Sequence, residues 1–81
     1  MFCVYCRMSK ATTKDHVIPK SLCKKKGVSS QGLVLPCCEA CNFYKADKLL
    51  HEWDGPVSRE MMRLRVGELA WNGSLLFSGT N

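Results

Sequence analysis

The sequence contains few acidic residues and no long apolar run. Seven Asp and Glu residues stand against twelve Lys and Arg residues in a chain of 81, so the formal net charge is +5. A membrane-spanning helix needs roughly 20 predominantly apolar residues in succession, and no segment approaches that length, so we expect no membrane partner. The basic balance favours a polyanionic partner instead, and nucleic acid is the commonest of these.

The sequence also lacks internal repeats, low-complexity tracts and a recognisable leader. It opens with M-F-C-V-Y-C, which has no basic region followed by an apolar stretch, so we expect no signal peptide. We therefore expect a cytoplasmic protein, in a reducing compartment where paired cysteines are typical of metal sites rather than disulfides. A chain of this length forms one domain at most, residues 1–81, and a domain so small commonly needs a metal or disulfides to stabilise its core.

Six cysteines are present, and four of them form two Cys-x-x-Cys units. Each unit places two sulfurs on one side of a tight turn, so two units complete the tetrahedron of a structural zinc site. The predicted Zn²⁺ ligands are Cys3, Cys6, Cys38 and Cys41. Cys37 competes with Cys38 by position, but only Cys38 has the two-residue spacing to Cys41. We interpret Cys23 and Cys37 as small buried hydrophobes.

The apolar pattern predicts two short strands and two helices, and hence an α+β domain. Residues 15–18 (D-H-V-I) form a short β-like run and residues 33–35 (L-V-L) a second short strand. Each is closed by a proline, and the two can pair as a hairpin joined by a long loop. A helix is predicted over about 42–51, and a C-terminal amphipathic helix over about 56–70. Residues 75–77 are expected to form a short strand or a frayed tail. The apolar face of the C-terminal helix is predicted to comprise Val57, Met61, Leu64 and Leu69.

An acid and a histidine lie between the cysteine pairs, and an amide and a lysine follow the second pair. Asp15 and His16 occur in T-K-D-H-V-I-P, and Asn42 and Lys45 occur in C-N-F-Y-K. Carboxylate and amide oxygens suit a hard cation such as Mg²⁺, and a neutral imidazole can take a proton from water near neutral pH. These residues predict a second, catalytic metal site for phosphodiester hydrolysis. Neighbours on an ideal strand point to opposite faces, so the shared site requires a twisted strand end or a bulge.

The combination of D-H-V-I-P, an apolar strand and C-x-x-C-N-x-x-K resembles the HNH endonuclease family in its zinc-stapled form. The resemblance covers more than half of the chain. It implies a ββα-metal fold (HNH or His-Me finger) over about 3–53, with the C-terminal helix as an addition. It also implies Mg²⁺ or Mn²⁺ as the catalytic ion, with Asp15 and Asn42 as its ligands and His16 as the general base. Lys45 is then expected to contact phosphate or to support the site.

The implied activity is cleavage or nicking of DNA, with RNA as the alternative substrate. Similar small proteins belong to bacteria and their phages, so a phage-encoded protein would act in the host cytoplasm. We expect no separate DNA-reading domain, so specificity is expected to be weak or to come from a homodimer or a protein partner. The basic residues expected to bind substrate phosphate, besides Lys45, are Lys14, Lys20, Lys24, Lys25 and Lys26.

One position departs from the family pattern. The family usually has an asparagine at the start of the second strand, where this chain has Leu33 or Gly32, and Gln31 is the nearest amide. That asparagine ties down a loop and does not touch substrate, so its loss leaves the predicted catalytic residues in place. The missing asparagine also leaves an alternative function open, that of a catalytically degenerate zinc module that binds nucleic acid or a protein.

Overall fold

The structure, a computed structural model, describes residues 1–25, 27 and 33–78. Within these residues the chain forms two strands and four helices, so the predicted α+β class is confirmed. No helix among them is long and apolar enough to cross a membrane. In chain order the elements are β1 (Thr13–His16), α1 (Lys20–Lys25), β2 (Val34–Cys37), α2 (Glu39–Lys45), α3 (Arg59–Val66) and α4 (Glu68–Ser78).

The two strands pair as the antiparallel hairpin that the sequence predicts. The register runs from Thr13 opposite Cys37 to His16 opposite Val34, so β1 begins two residues before the predicted strand. Pro36 lies inside β2 rather than ending it. A proline is tolerated there because each strand of a two-stranded sheet is an edge, and its carbonyl accepts a hydrogen bond from the N–H of Val4 at 3.0 Å.

The first two helices differ from the sequence prediction at their boundaries. Residues 20–25 form α1 rather than a loop, because the Pro19 carbonyl accepts from the N–H groups of Leu22 and Cys23, each at 3.0 Å. Residues 26 and 28–32 lie outside the described residues. The prediction that α2 continues to residue 51 is wrong. Ala46 follows it with a φ of 49°, a left-handed conformation that ends a helix.

The C-terminal segment forms two helices where the sequence predicts one. Gly67 separates α3 from α4 with a φ of 92°, and its N–H donates to the Arg63 carbonyl at 2.9 Å. Glycine adopts this conformation without the steric cost that other residues have. Residues 75–77 belong to α4 and form neither a strand nor a frayed tail.

The predicted apolar face of the C-terminal helix is wrong for three of its four residues, since Val57 packs against the core but Met61 is 43% exposed. Leu64 and Leu69 are 75% and 78% exposed. The buried residues of the two helices are Met62 on α3 and Ala70 and Ser74 on α4. A periodic pattern shows that one face is apolar, but the bend decides which face meets the rest of the chain.

The core lies between the cysteine-rich turn, the hairpin and the C-terminal helices. Tyr5 and Trp53 meet edge to face, with ring centroids 5.2 Å apart, at its centre. Arg65 on α3 donates to the Tyr5 carbonyl, and Ser74 on α4 accepts from the N–H of Leu50 at 2.9 Å. These contacts attach both C-terminal helices to the segments that carry the cysteines and α2.

Candidate functional site

The four cysteines of the two Cys-x-x-Cys units lie together. Their sulfurs are all within 4.8 Å of one another. Cys6 Sγ and Cys38 Sγ are 3.9 Å apart, close to the spacing of about 3.8 Å that tetrahedral geometry gives for Zn–S bonds of about 2.3 Å. All six cysteines, each within the described residues, are free thiols. The clustered cysteines can therefore hold a metal ion, as the sequence predicts. They are Cys3, Cys6, Cys38 and Cys41.

The thiol groups of the cluster have opposing electrostatic environments. The N–H of Met8 donates to Cys6 Sγ at 3.5 Å and, as the largest cause, lowers the pKa of Cys6 to about 7. Burial raises the pKa of Cys41 above its usual value. A buried thiolate without a nearby positive charge is unfavourable. A divalent cation would supply that charge, so the donor set fits a thiolate-bound metal.

The remaining cysteines lie elsewhere in the interior. Cys23 is on α1, and Cys37 is the last residue of β2; both are buried. Cys37 Sγ lies 3.3 Å from Thr13 Oγ1, and burial raises the pKa of its thiol. Neither belongs to the group of sulfurs that can hold a metal among the described residues.

The predicted catalytic residues line one surface cleft. Asp15 and His16 come from the end of β1, and Asn42 comes from α2. The register of the hairpin is continuous through Asp15 and His16, so in the described strands no bulge is needed to bring them together. His16 is the last residue of β1, and strand geometry relaxes at an end. The sequence analysis allowed either a strand end or a bulge at this site, and in the structure the site lies at a strand end.

The Asp15 carboxylate is buried and held by two donors at the same oxygen. Only 3% of the residue is exposed. The Tyr5 hydroxyl donates to Oδ2, and Lys45 Nζ lies 3.0 Å from Oδ2. Burial, followed by the negative charge of Asp15, raises the pKa of Tyr5 far above its usual value, so the phenol remains a hydrogen-bond donor. The carboxylate therefore has a fixed orientation.

Lys45 lies in the interior and not on the surface. Its side chain has no exposed area, and Nζ also contacts the carbonyls of His16 and Val17 at 3.3 and 3.5 Å. The sequence allowed two roles for this lysine, contact with phosphate or support of the site. Its burial between Asp15 and the backbone of β1 favours support.

Asn42 is half buried between the cleft and a second hollow. Its Nδ2 donates to Thr13 Oγ1 at 3.1 Å. The second hollow is lined by Thr13, Glu39, Asn42 and Phe43. Thr13 and Asp15 are two residues apart on β1 and share one face of the strand. The strand therefore supplies both a predicted metal ligand and the residue that contacts the second predicted ligand.

The predicted phosphate-binding lysines are placed unevenly. Lys14 and Lys20 are exposed and line the cleft. Lys24 and Lys25 are exposed in the last turn of α1. Lys26 lies outside the described residues. Of the residues near the family's asparagine position, Leu33 packs against the core. Gln31 and Gly32 lie outside the described residues.

Three residues near the site are not among the site residues predicted from the sequence. The residue type alone could have indicated Tyr5, because a buried tyrosine in a small core needs a hydrogen-bond partner for its hydroxyl. Thr13 is two positions before Asp15, so alternation along the strand could have placed them on one face. Asp47 lines the cleft directly after α2, and no periodic pattern indicates it.

Comparison with known proteins agrees with this geometry. The profile of the HNH endonuclease family matches residues 3–59, which is more than half of the chain. The match spans both cysteine pairs, the hairpin and α2. Comparison with curated proteins and with solved structures gives no match. The antiparallel hairpin, the helices and the clustered cysteines are consistent with the ββα-metal fold, and the family indicates a nuclease-type function. The chain belongs to the HNH endonuclease family.

Proposed function

We propose that this protein is a DNA endonuclease or nickase that uses a catalytic divalent ion and a structural zinc ion. One observation carries the proposal. A carboxylate, an imidazole and an amide, from Asp15, His16 and Asn42, meet in one cleft of an HNH-family chain. A binding module has no need of this combination, whereas hydrolysis of a phosphodiester does.

Asp15 and Asn42 are the residues that would hold Mg²⁺ or Mn²⁺, and the donor set suits a hard cation. When bound, the ion neutralises negative charge that develops on the scissile phosphate. Lys45 Nζ, 3.0 Å from Asp15 Oδ2, offsets most of the carboxylate charge. We therefore expect the protein alone to bind the ion weakly, with substrate phosphate completing the site.

His16 is the proposed general base. Its side chain is half buried in the wall of the cleft, and its carbonyl accepts from Lys45 Nζ at 3.3 Å. The backbone contact fixes the end of β1, which carries the imidazole. A neutral imidazole there can take the proton of the attacking water.

The exposed lysines are the proposed phosphate contacts. Lys14 and Lys20 line the cleft and can bind the backbone on either side of the scissile bond. Lys24, Lys25 and Lys26 would extend this contact along the DNA. Each neutralised phosphate releases counterions, so binding should weaken steeply as salt is raised.

The four clustered cysteines bind Zn²⁺, and residues 1–81 form a single domain with its catalytic core at about 3–53. DNA is the substrate, RNA is the alternative, and a homodimer or protein partner supplies specificity. The protein acts in the cytoplasm, of the host if a phage encodes it.

The experiment that tests the function is incubation of supercoiled plasmid with zinc-loaded protein and Mg²⁺ or Mn²⁺. The wild type should nick or linearise the plasmid, and His16→Ala should reduce the rate by at least 100-fold, because general-base catalysis contributes about that much. His51→Ala removes the other histidine, which lies outside the cleft lining, and serves as the matched control. Cleavage by His16→Ala at the wild-type rate would overturn the assignment of the base.

The second candidate is the catalytically degenerate binding module, and the observation that favours it is Leu33. Its side chain packs against the core at one of the two positions, Gly32 and Leu33, that can correspond to the family's asparagine. In the plasmid assay this function would show as salt-sensitive DNA binding without cleavage by either protein. Absence of both cleavage and DNA binding would indicate a protein partner.

A further inference from the structure

The hydroxyl of Thr13 has three polar neighbours. It donates to the Cys37 carbonyl at 2.9 Å and accepts from Asn42 Nδ2 at 3.1 Å. Cys37 Sγ lies 3.3 Å from the same oxygen. A threonine hydroxyl has one proton and two acceptor lone pairs, so these three neighbours use its full capacity.

The Cys37 carbonyl determines how Thr13 can meet Asn42. A carbonyl oxygen only accepts hydrogen bonds, so the single hydroxyl proton of Thr13 is committed to Cys37. Thr13 therefore has no proton to offer to Asn42 and can only accept from it. Of the two ends of the Asn42 amide, only the NH₂ group donates, so this end must face Thr13. The carbonyl oxygen, Oδ1, is thereby directed away from Thr13.

This orientation matters because Asn42 lies between two hollows. Thr13 belongs to the lining of the second hollow, together with Glu39 and Phe43. The cleft, which Asn42 also lines, contains Asp15 and His16. Only the oxygen of an amide side chain is a ligand for a hard cation. A flipped amide would present NH₂ to the cleft and repel the ion.

We propose that Thr13 is a positioning residue that selects the oxygen of Asn42 as the ligand of the catalytic metal. The inference rests on the proposed function, since it assigns a role toward the ion of that site. Partners that orient a metal ligand commonly change metal affinity by about 10- to 100-fold when they are removed. Loss of the Thr13 hydroxyl should therefore act on metal affinity and much less on the rate at saturating metal.

The test compares Thr13→Val with Thr13→Ser in the zinc-loaded full chain. Valine keeps the branched shape and removes the hydroxyl, whereas serine keeps the hydroxyl. Mn²⁺ binding is measured by electron paramagnetic resonance, and plasmid cleavage is measured over a Mn²⁺ titration. Thr13→Val should raise the Mn²⁺ concentration for half-saturation by about 10-fold, with most of the maximal rate recovered. Thr13→Ser should be close to the wild type.

Thr12→Val is the matched control, because Thr12 is the exposed neighbour of Thr13. It should leave both measurements unchanged. A fall in the maximal rate of Thr13→Val without a shift in Mn²⁺ dependence would indicate a merely structural role and overturn the proposal. Unchanged Mn²⁺ affinity in Thr13→Val would also overturn it.

A direct readout on the wild type covers the case in which Thr13→Val does not fold. In a ¹⁵N-labelled protein, the side-chain NH₂ protons of Asn42 should show nuclear Overhauser contacts to Thr13. Their absence would refute the orientation. Cleavage and orientation are separable outcomes. A wild type that does not cleave, but whose Mn²⁺ affinity falls in Thr13→Val, would refute the proposed function alone.

Discussion

Asp15 shows how single residues determine the chemistry of the cleft. Its carboxylate is almost fully buried, yet it is the oxygen donor that the catalytic ion would need. Burial of a charge is costly unless the charge is paired and hydrogen-bonded, and here Tyr5 and Lys45 meet this need at Oδ2. Because both donors contact Oδ2, the carboxylate has a fixed orientation, and neither donor uses Oδ1.

Lys45→Met should destabilise the protein strongly. The substitution leaves the Asp15 carboxylate buried without its cation, and breaking a buried pair in this way costs about 3–5 kcal/mol. Urea denaturation of the zinc-loaded protein measures the loss. Lys48→Met changes an exposed lysine on the same segment and should stay within about 0.5 kcal/mol of the wild type. Equal stability of the two variants would contradict the structural role of Lys45.

The cysteine-bearing turns are the elements that organise the N-terminal half. Cys38 is both a member of the metal-binding cluster and the N-cap of α2, where its Sγ accepts from the N–H of Cys41 at 3.5 Å. Asn42 and Lys45 follow on the same helix. The cluster thus determines where α2 begins, and α2 in turn carries two residues of the candidate site.

Removal of zinc should unfold the protein. For small domains of this kind the free energy of metal binding is also free energy of folding. A chelator should therefore abolish the helical signal in the far-ultraviolet circular dichroism spectrum. Cys38→Ser should behave like the chelated protein. Cys23→Ser, at a buried cysteine outside the cluster, should retain zinc. A folded Cys38→Ser protein without bound zinc would be incompatible with this role.

Zinc affinity should fall as pH is lowered. Each bound sulfur is a thiolate, so protons compete with the metal. The lowered pKa of Cys6, about 7, keeps that thiolate ionised down to neutral pH, and it becomes protonated below. Competition with a chromophoric chelator at pH 8, 7 and 6 should therefore show the largest loss below pH 7. An affinity independent of pH would argue against thiolate ligands.

Over the whole molecule, the C-terminal helices contact the segments that support the candidate site, although α4 and all of α3 except Arg59 lie beyond the family match. Arg65 contacts the backbone of Tyr5, whose hydroxyl holds Asp15. Ser74 satisfies the backbone N–H of Leu50 after α2. These contacts connect the two helices to Tyr5, which holds Asp15, and to the segment after α2, so they are expected to stabilise the site without lining the cleft.

Ser74→Ala should lower stability by about 1–3 kcal/mol, because it leaves the buried N–H of Leu50 without an acceptor. Thermal unfolding of the zinc-loaded protein, followed by circular dichroism, measures the change. The control is Asn72→Ala, at an exposed position of the same helix. If the C-terminal helices fold with the rest, one cooperative transition should shift. A separate early transition would show that they fold independently.

The sequence predicted the metal cluster and the cleft more closely than the helices. Cys-x-x-Cys spacing and the D-H step carry local chemical information, and the hairpin was placed to within two residues. The end of α2 and the buried face of the C-terminal segment were predicted wrongly. Both depend on single backbone conformations, at Ala46 and Gly67, that hydropathy does not encode.

Local sequence was sufficient for the ligand types, the basic surface and the α+β class, since spacing and charge are properties of neighbouring residues. The orientation of the site required the folded chain. Tyr5, Thr13 and Lys45 reach Asp15 and Asn42 from 10 to 30 positions away, and hydrogen bonds over that range leave no pattern in the sequence. We infer that such a distant partner, Thr13, also selects which end of the Asn42 amide faces the cleft, because its hydroxyl has a single proton to give.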